Sequence, residues 1–205
     1  MANKSPKNLE DKSNQEVTKI VPMQQQKQNF LENLITKFYN LFGIQTLYNE
    51  EFHSELNRGR KDFRRTRLIK PDLVGLNLDG INLSGVNLNR ANLSGASLQK
   101  AQLHKTKMVG ANLDSTNLKG ANLSRANLGD AQLSWADLRN INLSNTILNN
   151  ANLTGADLDQ SQSILDAEKW FTKFEHTRLP EGVFLVWYIQ IFAFRLHLMK
   201  KREKK

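Results

Sequence analysis

The stretch ANLSRANLGDAQLSWADL, residues 121–138, carries Leu at every fifth position, with Ala two residues earlier and Asn, Gln or Asp between them. An α-helix completes a turn in about 3.6 residues and a β-strand repeats every two. Neither element keeps a five-residue series on one side, because the leucines would spiral around a helix and alternate between the two faces of a strand. The chain must therefore bend once in each five-residue unit.

The same register extends well beyond this stretch. Counting by fives from Phe63 to Leu158 gives twenty central positions without an insertion, and eighteen of them are Leu, the others being Phe63 and Met108. Ten of the residues two places before the centre are Ala, and fourteen of the intervening residues are Asn or Asp. Such regularity over about a hundred residues predicts stacked repeat units.

A chain that turns a corner after each short extended segment directs every central side chain toward one axis. Ala and Leu, two residues apart, lie on the same side of such a segment, and Ala is small enough for an interior already filled by leucines. Glycines two places after several centres suit corners that need positive φ. The predicted structural core includes Phe63, Leu83, Leu103, Leu123 and Leu143.

The pattern resembles the pentapeptide-repeat family, whose motif is written A(D/N)LXX, over residues 61–163, which we call the repeat body. The resemblance implies an all-β solenoid, a right-handed quadrilateral β-helix with one pentapeptide on each of four sides and about five coils. The family is abundant in cyanobacteria, so the resemblance also favours a bacterial, cyanobacterial-like protein.

The two flanks differ from the repeat body in composition. Residues 1–27 are polar with few apolar side chains, which predicts a flexible tail. Residues 28–60 are predicted to form a helical N-terminal flank, with one helix from Gln28 that stops near Gly43 and a second from about Gln45 to Leu56. This pair is expected to cover one end of the repeat body or, alternatively, to bind a partner or dimerise.

Residues 164–205 are predicted to form a C-terminal cap, a short helix followed by an apolar segment with a basic end. The apolar run from Val183 to Met199 is interrupted and falls short of the roughly 20 residues of a bilayer span. Three interpretations stay open: packing on the tube end or a second subunit, attachment to a membrane surface, and a true span. The predicted membrane or dimer contacts are Phe184, Trp187, Tyr188, Phe192 and Phe194.

Composition excludes several kinds of function. The chain of 205 residues has no Cys, so it has no disulfide, thiolate metal site or Cys nucleophile. Its four His are scattered, and no phosphate loop or nucleophile elbow occurs, so we expect no catalytic residue, no metal and no cofactor. The polar N-terminus lacks a secretory signal, which indicates a cytoplasmic protein, membrane-associated only if the C-terminus attaches it.

The net charge of +9 belongs to the flanks, because residues 71–163 hold seven basic and seven acidic side chains. Within the repeat body, columns of outward residues recur every twenty positions. One corner collects basic side chains, and a lysine-free and arginine-free face carries a lone tryptophan. The candidate partner-binding residues are Arg64, Arg65, His104, Lys105, Lys107, Arg125 and Trp135.

These features favour a non-enzymatic scaffold that presents flat faces to a protein partner, acidic where it meets the basic corner. A membrane-associated organiser anchored by the C-terminal segment and a homodimer are alternatives. Some members of the family mimic DNA and bind gyrase, but that role needs a strongly negative surface, which this repeat body lacks. Nucleic acid is disfavoured as a partner of the basic run at residues 58–70, because its aromatic residue points inward.

Overall fold

The computed structural model describes residues 25–26, 28–169 and 172–180. The chain divides into two compact units at Thr46 and Leu47. In the first unit, residues 28–41 form helix α1, and Gly43 follows it with φ of +66° in the turn that ends the helix.

The second predicted helix begins later than expected. Residues Gln45–Tyr48 form strand β1, and helix α2 spans Asn49–Asn57, so the prediction of helix from Gln45 was wrong for four residues. Strand β1 pairs with strand β2, Thr66–Ile69, in a two-stranded sheet. The sheet explains the error, because a partner strand supplied from the repeat body overrides local helical spacing.

Helix α2 packs against the first coil of the repeat body. The ring of Phe52 lies 4.9 Å from the ring of Phe63, centroid to centroid, and both side chains are fully buried. The guanidinium of Arg60 lies 4.6 Å above the Phe63 ring. Helix α2 therefore shields the apolar interior of the tube at its N-terminal end.

The repeat body is a parallel ladder with a period of twenty residues. Asp62 bridges Asn82, and the same spacing continues to the bridge between Asn142 and Gln162. The backbone N–H of Leu83 donates to the carbonyl of Gln102 at 2.9 Å, and the N–H of Gln102 donates back to Ile81 at 2.8 Å. Four pentapeptides thus form one coil, and each coil pairs with the coils above and below.

The central side chains fill the tube. All twenty central positions are buried, among them Phe63, Leu83, Leu103, Leu123 and Leu143. Threonines that replace the inward Ala satisfy their hydroxyls internally. Thr106 donates to the carbonyl of Leu83 at 3.0 Å and Thr146 to that of Leu123 at 2.8 Å, so these buried oxygens remain hydrogen-bonded.

The Asn that precedes each central residue holds the corner that follows. Its side-chain oxygen accepts the backbone N–H two residues on, as Asn82 does from Ser84 at 3.1 Å and Asn142 from Ser144 at 3.0 Å. This side chain mimics a backbone turn. The conformational requirement explains why Asn and Asp dominate that position.

In three units that lack this Asn or Asp, a side chain of the preceding coil supplies the acceptor. Lys107 occupies the position in one coil, and Asn89 of the preceding coil accepts the N–H of Val109 at 2.9 Å. Ser97 occupies this position in a second unit, where Asp79 accepts the N–H of Gln99 at 2.9 Å. Gln132 occupies it in a third, where Asp114 accepts the N–H of Ser134 at 2.8 Å. These three departures from the motif are therefore compensated by a residue eighteen positions earlier in the chain.

The ladder does not end where the register breaks. A single extra residue enters at Ser163, which has φ of +59°, and a 3-10 turn spans Ile164–Asp166. The bridges then resume at a spacing of twenty-one, from Ile147 to Glu168 and on to Asp157 with Arg178. The sequence predicted a short helix here, and the described residues instead form a sixth coil.

The sixth coil differs from the others in what occupies its central positions. Ile164 is buried, whereas Phe174 and Leu179 are partly buried. Lys169 stands where the other coils have Leu, and its Nζ donates to the carbonyls of Leu165 at 3.1 Å and Ala167 at 2.9 Å. Desolvation by burial lowers the pKa of the Lys169 ammonium. A charged group at this position marks the end of the apolar column.

Candidate protein-binding surface

The corners of the tube carry the side chains that project farthest from it. The residue two places after each centre adopts positive φ, including Arg65 at 54°, Lys105 at 57° and Arg125 at 59°. Some of these side chains lie over the corner of the next coil. A Cβ built on Gly110 would contact Arg90 at 3.6 Å, and one on Gly120 would contact Lys100 at 3.5 Å, whereas one on Gly85, the corner after Arg65, would meet nothing within 4 Å. The corner columns are therefore close-packed at some coils and open at others.

Three of the predicted basic residues form one corner column. Arg65, Lys105 and Arg125 are exposed and stand at the same corner of coils one, three and four, with Gly85 between the first two. Neighbouring coils are about 4.8 Å apart. Within the described residues, none of the three has an ion-pair partner. We call these three residues the basic column.

Arg64 does not belong with this group, although it is adjacent in sequence. Its guanidinium pairs with Asp62 at 2.7 Å, and the hydrogen bonds from Arg64 lower the pKa of Asp62 from 3.8 to about 2. The pair leaves Arg64 largely neutralised. Charge counting along columns missed it because Asp62 lies in the adjoining column two residues earlier.

The remaining basic candidates surround the column unequally. Lys107 is exposed on the adjoining face, two residues past the corner. His104 is only partly exposed, and its Nδ1 lies 2.9 Å from Ser124 Oγ. Its imidazole is therefore already hydrogen-bonded to the next coil. In the basic run at residues 58–70, Arg58 and Arg60 pair with Glu55 at 2.9 and 3.5 Å. These two arginines of the run are therefore already ion-paired within the chain.

Trp135 stands at the opposite corner of the tube from the basic column. It lies ten residues, half a coil, beyond Arg125, and 66% of its surface is exposed. Its indole lies flat over Gly155 of the next coil, where a Cβ would come within 2.6 Å of the ring atom Cδ2. Trp135 and the basic column therefore cannot share one small partner surface, although the sequence grouped them as one candidate set.

A charged network joins the last coils on the face whose central residues include Leu138 and Leu158. The Arg139 guanidinium hydrogen-bonds Asp137, while Arg178 pairs with Asp157 at 3.5 Å and Asp159 at 3.1 Å. The hydrogen bond from Arg139 holds the pKa of Asp137 below its usual 3.8. The network connects the sixth coil to the fourth and fifth.

This network predicts a loss of stability in acid. Because the folded pKa of Asp137 is depressed, its ion pair stabilises the protein above about pH 4, and that contribution disappears as the pH falls through the folded value. Asp137→Asn keeps an amide oxygen for the backbone N–H of Arg139, which Asp137 accepts at 3.1 Å, but removes the charge. We expect its melting temperature to be below that of the native protein at pH 7, by a difference that shrinks as the pH falls below about 4, measured by thermal circular dichroism. A difference that persists unchanged at pH 2 would contradict this assignment.

The described residues contain no group of three metal-ligating side chains. Among them no helix has the length and apolar content that crossing a bilayer requires. The predicted membrane or dimer contacts lie outside the described residues and stay a prediction: Phe184, Trp187, Tyr188, Phe192 and Phe194. The described chain is a parallel β-solenoid with charged and aromatic corners.

Comparison with known proteins identifies the solenoid. Residues 81–158 match the family model described as the pentapeptide repeat region. Residues 81–158 are therefore a pentapeptide repeat region, and their parallel ladder repeats every twenty residues. The resemblance seen in the sequence is confirmed, and the search of curated proteins found no match.

Several solved structures with which the chain aligns are described as pentapeptide repeat proteins. One from Nostoc Pcc 7120 is 28% identical, covering 67% of this chain and 90% of that one, with a TM-score of 0.32. One from the Arabidopsis thaliana thylakoid lumen is 27% identical over 49% of this chain, with a TM-score of 0.26, and the match spans 62% of its length. QnrB1, a plasmid-mediated fluoroquinolone resistance protein, is 16% identical over 66% of this chain and 72% of its own, with a TM-score of 0.33.

Proposed function

We propose that this protein is a non-enzymatic scaffold whose repeat body binds an acidic protein partner through the basic column. The observation that carries the proposal is the state of Arg65, Lys105 and Arg125. All three are exposed, stand in register on one corner, and have no ion-pair partner within the described residues. Their backbones are fixed by the ladder, so a partner need not order a flexible loop to bind them.

The surroundings of the column favour a protein over a nucleic acid. Binding of single strands usually combines basic side chains with exposed aromatic platforms. The aromatic residue nearest to this basic region in sequence, Phe63, is fully buried, and Trp135 is on the opposite corner. A DNA mimic is equally disfavoured, because seven acidic residues in residues 71–163 are balanced by seven basic ones.

Trp135 supports a second, separate contact. Exposed indoles are frequent anchors of protein interfaces because they bury a large area and lose little side-chain entropy. The face beside Trp135 has no Lys or Arg between residues 71 and 155, so its partner surface need not be acidic. A scaffold with two opposite contact corners can hold two different proteins at once.

Charge reversal tests the proposal. Lys105→Glu together with Arg125→Glu should weaken capture of acidic partners from native cells by at least tenfold, and the captured proteins should leave the native protein as salt is raised. The matched control is Lys100→Glu with Lys119→Glu, which reverses the charge of two exposed lysines beside Leu98 and Leu118, away from the basic column. Quantitative mass spectrometry of the captured proteins is the measurement. Equal recovery with both double variants would eliminate the basic column as a binding site.

The membrane-associated organiser stays an alternative, and it depends on residues 183–199. Carbonate washing of membranes from native cells distinguishes the two proposals. Retention of the full chain in the washed membranes would favour the organiser, whereas its release with the soluble partners favours the scaffold.

A further inference from the structure

Helix α1 carries the largest concentration of exposed apolar side chains in the described part of the chain. Seven large apolar residues in and just after it are between 38% and 83% exposed: Phe30, Leu31, Leu34, Ile35, Phe38, Leu41 and Phe42. Scattered apolar residues on a surface are ordinary, whereas a contiguous patch marks an interface. The patch belongs to the first compact unit.

The seven residues share one side of the helix. At about 100° for each residue, they fall within an arc of about 140°, and the remaining residues of α1 are polar apart from Tyr39. Phe38 and Phe42 already pack together on this side, with ring centroids 5.0 Å apart. An isolated helix of this length is only marginally stable in water, so its apolar side requires a partner.

We propose that α1 pairs with α1 of a second copy of this chain. Leu31, Leu34, Phe38 and Leu41 are spaced three, four and three residues apart, which is the spacing of a helix-pairing seam. From the exposed fractions and about 200 Å² for a full aromatic side chain, each copy presents roughly 700 Å². Two copies would bury roughly 1,400 Å² in total, within the range of about 1,200 to 2,000 Å² for stable interfaces.

The charges on α1 favour a second copy over a lipid surface. Residues 28–41 contain one acidic and one basic side chain, Glu32 and Lys37, so two such helices do not repel each other. Helices that lie on membranes carry many Lys and Arg on the polar side. The polar side of α1 consists mainly of Asn, Gln and Thr.

Sedimentation velocity of the full chain over a range of concentrations tests the proposal. The native protein should show a species of twice the chain mass of 23.5 kDa. Leu34→Glu with Phe38→Glu places two charges in the middle of the apolar arc and should raise the dissociation constant roughly a hundredfold or more. The matched control, Asn33→Glu with Asn40→Glu, adds the same charges on the polar side and should leave the dimer intact.

Three results would overturn the proposal. The first is a native protein that is monomeric at every concentration, and the second is a dimer that persists in Leu34→Glu with Phe38→Glu. The third comes from flotation with vesicles of phosphatidylcholine alone or with phosphatidylserine. If the native protein floats as a monomer and the same double variant does not float, the apolar side of α1 belongs to a lipid surface.

Discussion

Replacing Leu123 by Asp is expected to unfold the repeat body at room temperature. Leu123 is a central residue of the fourth coil and is 1% exposed. An unpaired carboxylate at this position loses its hydration and gains no partner, and changes of this kind exceed about 4 kcal/mol. Because the total stability of a domain is about 5 to 15 kcal/mol, one substitution removes most of it.

Two companion variants separate burial from charge. Leu123→Ala should lower the free energy of unfolding by about 2 to 5 kcal/mol, through lost burial and the cavity left behind. Arg125→Asp places a carboxylate two residues away at an exposed corner, where Asp tolerates positive φ, and should change stability little. Urea denaturation followed by circular dichroism measures all three. Equal stability of Leu123→Asp and Arg125→Asp would show that Leu123 does not face the interior.

Gly155→Ala is expected to be the most damaging of the conservative corner substitutions. Its φ is +70°, and a Cβ there would collide with the indole of Trp135. The left-handed backbone costs a side chain about 1 to 2 kcal/mol. Displacing the indole from its rotamer adds about 0.5 to 1.5 kcal/mol. We therefore expect a loss of about 2 to 3 kcal/mol in the free energy of unfolding.

Gly120→Ala is the matched control, because Gly120 has the same φ of +70° and its nearest neighbour is the flexible side chain of Lys100. It should cost only the backbone term, about 1 to 2 kcal/mol. In a Trp135→Ala background, Gly155→Ala should fall to the same value, since the collision is gone. A cost of Gly155→Ala that does not depend on Trp135 would contradict the stacking of the indole on this corner.

Sequence reasoning predicted the interior of the repeat body because one physical requirement repeats there twenty times. A five-residue series of Leu requires a bend in each unit if all central side chains are to be buried, and Leu83 and Leu143 are buried as this rule expects. The role of Asn at the corner was not predicted, although the sequence contains the spacing that indicates it. Asp79, Asn89 and Asp114 each precede by eighteen residues a unit that lacks Asn or Asp before its centre.

The flanks were less predictable because they do not repeat. Strand β1 depends on a partner about twenty residues away, and no local spacing announces it. The extra residue at Ser163 was recognised as a break, but the resumption of the ladder was missed because Lys169 replaces Leu at the next central position. Backbone hydrogen bonds to the preceding coil continue past this local interruption, because the backbone groups of that coil need partners.

The surface was predictable by column but not by contact. The twenty-residue spacing placed Lys105 and Arg125 at one corner, and the structure agrees. The pairing of Arg64 with Asp62 depends on side-chain conformation, which the column arithmetic does not contain. The position of Trp135 half a coil away was implicit in the same arithmetic and separates it from the basic column.

The closed twenty-residue coil is tested most directly by one distance. The native chain has no Cys, so Arg65→Cys with Asn145→Cys provides two unique sites for spin labels at the same corner, four coils apart. With labelled protein diluted in unlabelled protein, pulsed electron resonance should give a mean distance near 20 Å, from about 4.8 Å for each coil. A mean distance above about 40 Å would contradict the stacked coils, since eighty residues in any extended or helical path span far more.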